Sequence, residues 1–362
     1  MISPKSVLCI VGARPNFMKI GPVVSALVRH GVSAPLVHTG QHYDEAMNDR
    51  FFSDLGLPRP AVNLEVGSGS HAQQTAEIMT RFELVLDSYT PSALLVVGDV
   101  NSTIACALVA AKKGYPIVHV EAGLRSYDRT MPEEINRILT DQLSDFLFTT
   151  EEDARGNLIR EGISEDKIFF VGNVMIDTLL SNLDRARPLP EGLDPKGGHV
   201  LVTLHRPSNV DDPQTLAALV ECLITLSQSA PLVFPVHPRT RGRLDAAGLT
   251  DKLIQAGALL LPPQGYLEML GLMKLARVVV TDSGGIQEET TALGVPCLTV
   301  RENTERPITI DYGTNTLVGV NPADILAAFH HTLETGGKAG RVPDLWDGKA
   351  GERIAQTLVS RL

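Results

Sequence analysis

The chain has 362 residues, more than one hydrophobic core usually supports, so two domains of comparable size are expected. Its 42 acidic residues against 32 basic ones give a net charge of −10, and no run of Lys or Arg marks a nucleic-acid footprint, so no nucleic-acid partner is expected. Neither a signal-like leader ahead of Ser6 nor an uncharged apolar run of about 18 residues is present, which excludes a membrane segment and predicts a soluble cytoplasmic protein.

The first strand-like run, 7–12, leads into Gly12-Ala13-Arg14-Pro15, where a dinucleotide fold would carry Gly-x-Gly-x-x-Gly. That fingerprint is absent, and no nicotinamide cofactor is expected. Arg14 and Lys19 instead put two cations at the first strand-to-helix turn, where helix amides already favour anions; solvated surface is the alternative. Further runs at 36–39, 94–98, 117–120 and 146–149 are each followed by a helix-compatible stretch, the signature of βαβ units. Leu94-Leu95-Val96-Val97 is continuously apolar, as in a parallel strand covered on both faces.

Three carboxylates fall at strand ends or helix starts: Asp99 after Gly98, Glu121 in His119-Val120-Glu121-Ala122-Gly123-Leu124-Arg125, and Glu133 in Met131-Pro132-Glu133-Glu134. Clustered carboxylates push one another's pKa values apart and produce the mixed protonation that acid and base roles require. Two of them also have structural readings. Asp99 fits a cap for a helix beginning near Asn101, and Glu133 fits a capping box with Thr130. Glu121 has no obvious structural employer.

Between 185 and 198, three prolines and three glycines read as a linker or surface loop. The alternation restarts with runs at 199–204, 232–236, 259–261, 278–281 and 297–300, so the fold class is α/β with two facing Rossmann-like domains, 1–184 and 199–345, and a ligand crevice between them. A helix over 346–362 is expected to pack back on the body. In the second half the candidates are His205 and Arg206 after a strand, His237, Arg306, and Asp282-Ser283-Gly284-Gly285 opening a helix. Two adjacent glycines let amides approach a diphosphate without Cβ interference, although a plain tight turn reads the same way. One turn on, Glu288 or Glu289 is placed to accept both hydroxyls of a ribose, or is a helix-surface carboxylate. Met269, Met273 and Phe329 read as core. Cys9, Cys106, Cys222 and Cys297 are widely separated in apolar segments without metal-ligand spacing, and read as reduced core thiols. No metal site is expected.

Taken in order, Gly12-Ala13-Arg14-Pro15, Thr39-Gly40-Gln41-His42, Gly98-Asp99 and the segments 119–126, 132–137, 204–206, 282–289 and 304–307 resemble the non-hydrolysing UDP-N-acetylglucosamine 2-epimerases over nearly the whole chain. The resemblance implies a glycosyltransferase-B-like fold, a homodimer without cofactor, and interconversion of UDP-N-acetylglucosamine and UDP-N-acetylmannosamine by elimination and re-addition of UDP through a 2-acetamidoglucal. It implies catalytic roles for Asp99, Glu121, Glu133 and His205. It sets Arg14, Ser283, Gly284, Gly285 and Arg306 around the UDP, and Glu289 on the ribose. Gln41, His42, Arg206 and His237 are candidates for a second UDP-sugar site of the kind bacterial relatives use for activation. Two departures stand out: Asn16 where relatives commonly have Glu, and Pro207 where many have Arg. They leave open a modified UDP-acetamido sugar as substrate. A metal-independent UDP-sugar glycosyltransferase is the rival reading, but it needs an acceptor and no set of three carboxylates.

Overall fold

The computed structural model describes residues 5–40, 54–194, 196 and 198–362, and of Arg14 the backbone only. Gln41 and His42 lie outside the described residues. The chain divides into two compact units, one of residues 1–181 and 344–362, the other of residues 182–343.

In the first unit, seven parallel strands among the described residues run in the order β3-β2-β1-β4-β5-β6-β7. They are β1 (Val7–Val11), β2 (Leu36–His38), β3 (Val62–Asn63), β4 (Ala93–Val97), β5 (Ile117–Ala122), β6 (Phe146–Thr149) and β7 (Ile168–Phe170). The period-two alternation of strands explains why β1 and β4 are apolar at every position. Val7, Cys9, Val11, Leu95 and Val97 face Ile20, Val24, Ile354 and Leu358 of the helices Arg14–Arg29 and Ala350–Arg361. Leu8, Ile10, Leu94 and Val96 face Ile78, Phe82, Cys106 and Ala110 of the helices His71–Tyr89 and Asn101–Lys112.

In the second unit, six parallel strands run in the order β10-β9-β8-β11-β12-β13, comprising β8 (His199–Thr203), β9 (Leu232–Pro235), β10 (Leu259–Leu261), β11 (Ala276–Thr281), β12 (Cys297–Thr299) and β13 (Asn315–Leu317). Val200, Val202, Phe234 and Val280 pack against Leu219, Leu223 and Phe329 on one face; Leu201, Val233 and Val279 pack against Leu272, Met273 and Met269 on the other. Each sheet therefore reverses its strand order once, between β1 and β4 and between β8 and β11. Ligands of open α/β sheets bind at the carboxyl ends of the strands flanking such a reversal. Gly12 and Gly98 lie there in the first unit, Leu204 and Asp282 in the second.

The segment read as linker or surface loop is an irregular, largely exposed run that belongs to the second unit. Arg187 donates its amide to the Leu267 carbonyl at 3.0 Å, Leu189 and Leu193 pack on the Val279 cluster, and a Cβ on Gly271 would lie 2.0 Å from the Arg187 carbonyl oxygen. The segment is tied down by these contacts, although Pro188 and Gly192 within it are exposed. All four cysteines are buried free thiols whose pKa values burial raises, which leaves them unreactive. No helix among the described residues is long and apolar enough to cross a membrane.

The C-terminal helix Ala350–Arg361 belongs to the first unit. Its N-cap, Lys349, makes no side-chain cap, and Asp177 takes that part from another helix, accepting from the amides of Ala350 at 3.1 Å and Gly351 at 2.7 Å. Gly351 allows close approach, since a Cβ there would lie 2.8 Å from the Pro22 backbone. Trp346 donates its indole N–H to the Thr150 carbonyl at 3.0 Å. Burial pushes Asp177 up to about 6 despite its two amide donors. Asp177→Ala should lower unfolding stability by about 1–2 kcal/mol, the usual cost of a lost helix cap. Denaturant unfolding checks this, and a midpoint equal to wild type would show that the helix docks by its apolar face alone.

Candidate active site

At the first reversal, Asn16 replaces the expected acid and does work an acid cannot do. Its Oδ1 accepts from the Ala13 amide at 2.9 Å while its Nδ2 donates to the Val97 carbonyl at 3.0 Å, fastening the turn after β1 to the end of β4. Gly98, at φ 65°, opens space for Lys19, whose Nζ lies 3.2 Å from where a Cβ would stand. Lys19 is buried and pairs with Glu121, so the structure places this cation against a carboxylate of its own unit.

Glu121 is held in a left-handed conformation, φ 72°, where the pairing of β5 with β6 slips by one residue between Val120 and Ala122. For a residue other than glycine this costs roughly 1–3 kcal/mol, and such strain persists where surrounding contacts over-determine it. The following Gly123, at φ 80°, is required, because a Cβ would lie 2.6 Å from the Ala154 carbonyl oxygen.

Asp99 is not a helix cap. The helix Asn101–Lys112 has Val100 as N-cap, and the Asp99 carboxylate pairs with Arg137 of the helix Pro132–Leu143. The capping box read at Glu133 is also absent: Met131 is the N-cap, and Thr130 donates its hydroxyl to Asp128 at 2.6 Å. Glu133 is half-buried and has no hydrogen bond or ion pair among the described residues. Its neighbour Glu134 pairs with Arg137 and accepts from the amides of Ser126 at 3.0 Å and Tyr127 at 2.9 Å. Glu134, Arg137 and Asp141 carry one signal in the sequence, their spacing of three and four residues, which puts them on one helix face. Arg14 reaches the reversal by its backbone; its side chain is outside the description.

At the second reversal, Asp282 organises the turn after β8. Fully buried, it accepts from the amides of His205 at 2.9 Å and Arg206 at 2.9 Å and from Asn209 Nδ2 at 3.1 Å, and lies 2.8 Å from His205 Nδ1. Burial opposes its ionisation, but the His205 hydrogen bond and charge and these amides outweigh it and lower the pKa. His205 thus has one ring nitrogen fixed while the side chain stays 41% exposed. His237 caps the helix Pro238–Ala246, accepting from the Arg239 amide at 3.2 Å, and its ring centroid is 5.7 Å from that of His205. Arg206 donates Nε to the Asp282 carbonyl at 3.0 Å.

The helix Gly284–Leu293 starts at Ser283 with no side-chain cap, leaving a ten-residue helix N-terminus suited to an anion. Gly284 lets the Glu305 carboxylate approach, since a Cβ would stand 2.6 Å from Glu305 Oε1. Burial would raise the Glu305 pKa, but the guanidinium charges of Arg306, Arg301 and Arg206 hold it well below the usual carboxylate range. Arg306 is buried, with Nε 2.8 Å from Glu288 Oε1. Glu288 and Glu289 are both buried, which removes the helix-surface reading. Among the described residues, no group of His, Cys, Asp and Glu is arranged to hold a metal ion.

Glu289 accepts from the Tyr266 hydroxyl at 3.0 Å, and burial pushes its pKa from the ordinary 4.5 up to about 8, with the Glu288 charge adding to the rise. The folded carboxyl binds its proton more tightly than the unfolded one. The stability it contributes is therefore complete below about 4.5 and lost as pH rises through about 8. Melting temperatures of wild type and Glu289→Gln, followed from about pH 5 to about pH 9, should diverge against wild type on the alkaline side. A constant difference would mean that Glu289 is ionised throughout.

The family model described as UDP-N-acetylglucosamine 2-epimerase matches residues 25–359. The UDP-N-acetylglucosamine 2-epimerase of Methanocaldococcus jannaschii is 43% identical over 96% of this chain and 97% of its own. The crystal structure of that organism's enzyme in complex with UDP-GlcNAc and UDP superposes with a TM-score of 0.90 at 42% identity, covering 98% of this chain and 99% of the other. The UDP-2,3-diacetamido-2,3-dideoxy-D-glucuronate 2-epimerase of Pseudomonas aeruginosa is 44% identical over 86% of this chain and 88% of its own. Together with the two parallel-sheet α/β units, these matches settle the family: the chain belongs to the UDP-N-acetylglucosamine 2-epimerases.

Proposed function

We propose that the protein interconverts UDP-N-acetylglucosamine and UDP-N-acetylmannosamine without hydrolysing either. The observation that carries this reading is the gathering of Asp99 and Glu121 beside buried cations at one sheet reversal, in a chain of this family. The C2 hydrogen of the sugar has no adjacent carbonyl, so direct deprotonation is prohibitively slow. Elimination avoids this. A carboxylate takes the C2 proton, the C1–O bond to the diphosphate breaks with its electron pair going to UDP, and a C1=C2 double bond forms. A proton then returns to the other face of C2 as a diphosphate oxygen re-forms the bond to C1.

Two faces require two proton-handling groups. Glu121 and Asp99 are each held against a cation, while Glu133 has no ion pair among the described residues, so the three offer proton-handling groups in two different settings. The second unit serves the leaving group. The amides after Ser283, Gly284 and Gly285 take the diphosphate, Arg306 supplies charge, Glu289 takes the ribose, and His205, steadied by Asp282, donates to a diphosphate oxygen. The proposal extends to a homodimer, as the resemblance implies, and to the cytoplasm.

The 44% identity to the diacetamidoglucuronate enzyme favours a second reading, in which the sugar carries a 3-acetamido group and a uronate. Incubation with UDP-N-acetylglucosamine alone, without nicotinamide, should give UDP-N-acetylmannosamine with no release of UDP or free sugar. Turnover of the diacetamidoglucuronate nucleotide alone would select the second reading. In the active assay, Asp99→Asn, Glu121→Gln and Glu133→Gln should each lower kcat by at least ~10²-fold while UDP affinity survives, as for lost acid–base groups. Arg306→Ala should instead weaken UDP binding, read by calorimetry. Loss of UDP affinity in the carboxylate variants would move them from chemistry to binding.

A further inference from the structure

Asp141 is fully buried on the helix Pro132–Leu143 and has no part in the chemistry proposed above, yet its carboxylate connects the three segments that carry the acids. Oδ1 lies 2.6 Å from His119 Nδ1, and the other ring nitrogen, Nε2, lies 2.9 Å from the carbonyl oxygen of Gly98, next to Asp99. A carbonyl oxygen only accepts, so Nε2 donates. Oδ2 accepts from the Gly123 amide at 3.1 Å, two residues beyond Glu121, and lies 2.7 Å from Arg125, which Glu161 also grips at 2.8 Å. The helix that bears Asp141 also bears Glu133 and Arg137, the partner of Asp99.

We infer that Asp141 is a positioning residue that holds the Asp99 loop, through His119, and the Glu121 bulge, through Gly123, in fixed register with the helix of Glu133. The inference rests on the epimerase reading for its catalytic consequence, but not for its structural one. Two loops at separate strand ends each have freedom of their own. A shared buried carboxylate removes it, because moving either loop leaves a polar group unpaired in a dry interior. The left-handed backbone of Glu121 is strain that such an anchor maintains.

The test combines amide exchange with kinetics in Asp141→Ala, Asp141→Asn and His119→Phe. In wild type the Gly98 amide donates to the Val120 carbonyl at 3.1 Å and the Gly123 amide to Asp141, so both report on the two loops. Asp141→Ala should speed exchange at both by at least ~10-fold, while His119→Phe, which keeps the Asp141–Gly123 bond, should speed it at Gly98 alone. Both should lower kcat by ~10²-fold with KM and UDP affinity within about threefold of wild type, the pattern of misplaced reacting groups. Asp141→Asn offers an acceptor to Gly123 and a donor to a neutral His119, and should recover at least ~10-fold of the kcat lost in Asp141→Ala. If Asp141→Ala does not fold, His119→Phe and Asp141→Asn carry the comparison. Unchanged Gly98 exchange in the folded variants, or KM rising as steeply as kcat falls, overturns the inference. A wild type that epimerises no UDP-sugar refutes the functional reading instead, and the exchange pattern still decides the structural one.

Discussion

A carboxylate taken out of water costs several kcal/mol unless a cation or a set of donors meets it. The ends of both sheets are arranged under that constraint. Lys19 meets Glu121, Arg137 meets Asp99 and Glu134, His119 and Arg125 meet Asp141, His205 meets Asp282, and Arg301 meets Glu305. Each of these acids is thereby fixed in place. Glu133 has no such partner among the described residues; Glu289 has only a phenol, and burial pushes its pKa up to about 8, so it holds a proton near neutral pH.

The same constraint shapes the backbone. Glycine appears where a partner charge or carbonyl occupies the space of a Cβ: Gly98 before Lys19, Gly284 before the Glu305 carboxylate, Gly123 before the Ala154 carbonyl. Catalysis by preorganised charge needs such rigidity, since groups that must reorient during reaction lose most of their electrostatic advantage. In the second unit the helix start at Ser283 has no side-chain cap, Arg306 is buried against Glu288, and His205 is steadied by Asp282.

The interiors of the sheets were legible from residues alone, because parallel strands buried on both faces leave continuous apolar runs such as 94–97, whereas the short edge strands β3, β7 and β13 were not. Glu121 was legible for a related reason: a charge ending such a run has no structural explanation. Asp99 and Glu133 were ambiguous, since an acid near a helix start looks like a cap, and only three-dimensional partners show that Val100 and Met131 are the N-caps. Asp141 and His119 were silent. An acid on an amphipathic helix and a histidine in a strand carry no sign of the partner that makes them a unit. Proline and glycine at 185–198 marked an exposed loop but could not show that it belongs to the second unit, because that depends on partners such as the Leu267 carbonyl.

Elimination and re-addition of UDP, with proton handling by carboxylates, is the claim on which the assignment of roles rests. Proton NMR in deuterated water, starting from UDP-N-acetylglucosamine and following C2 from the first turnover, tests it most directly. Solvent deuterium should occupy C2 of the UDP-N-acetylmannosamine as that epimer appears. An epimer that forms with its C2 proton retained would contradict the account.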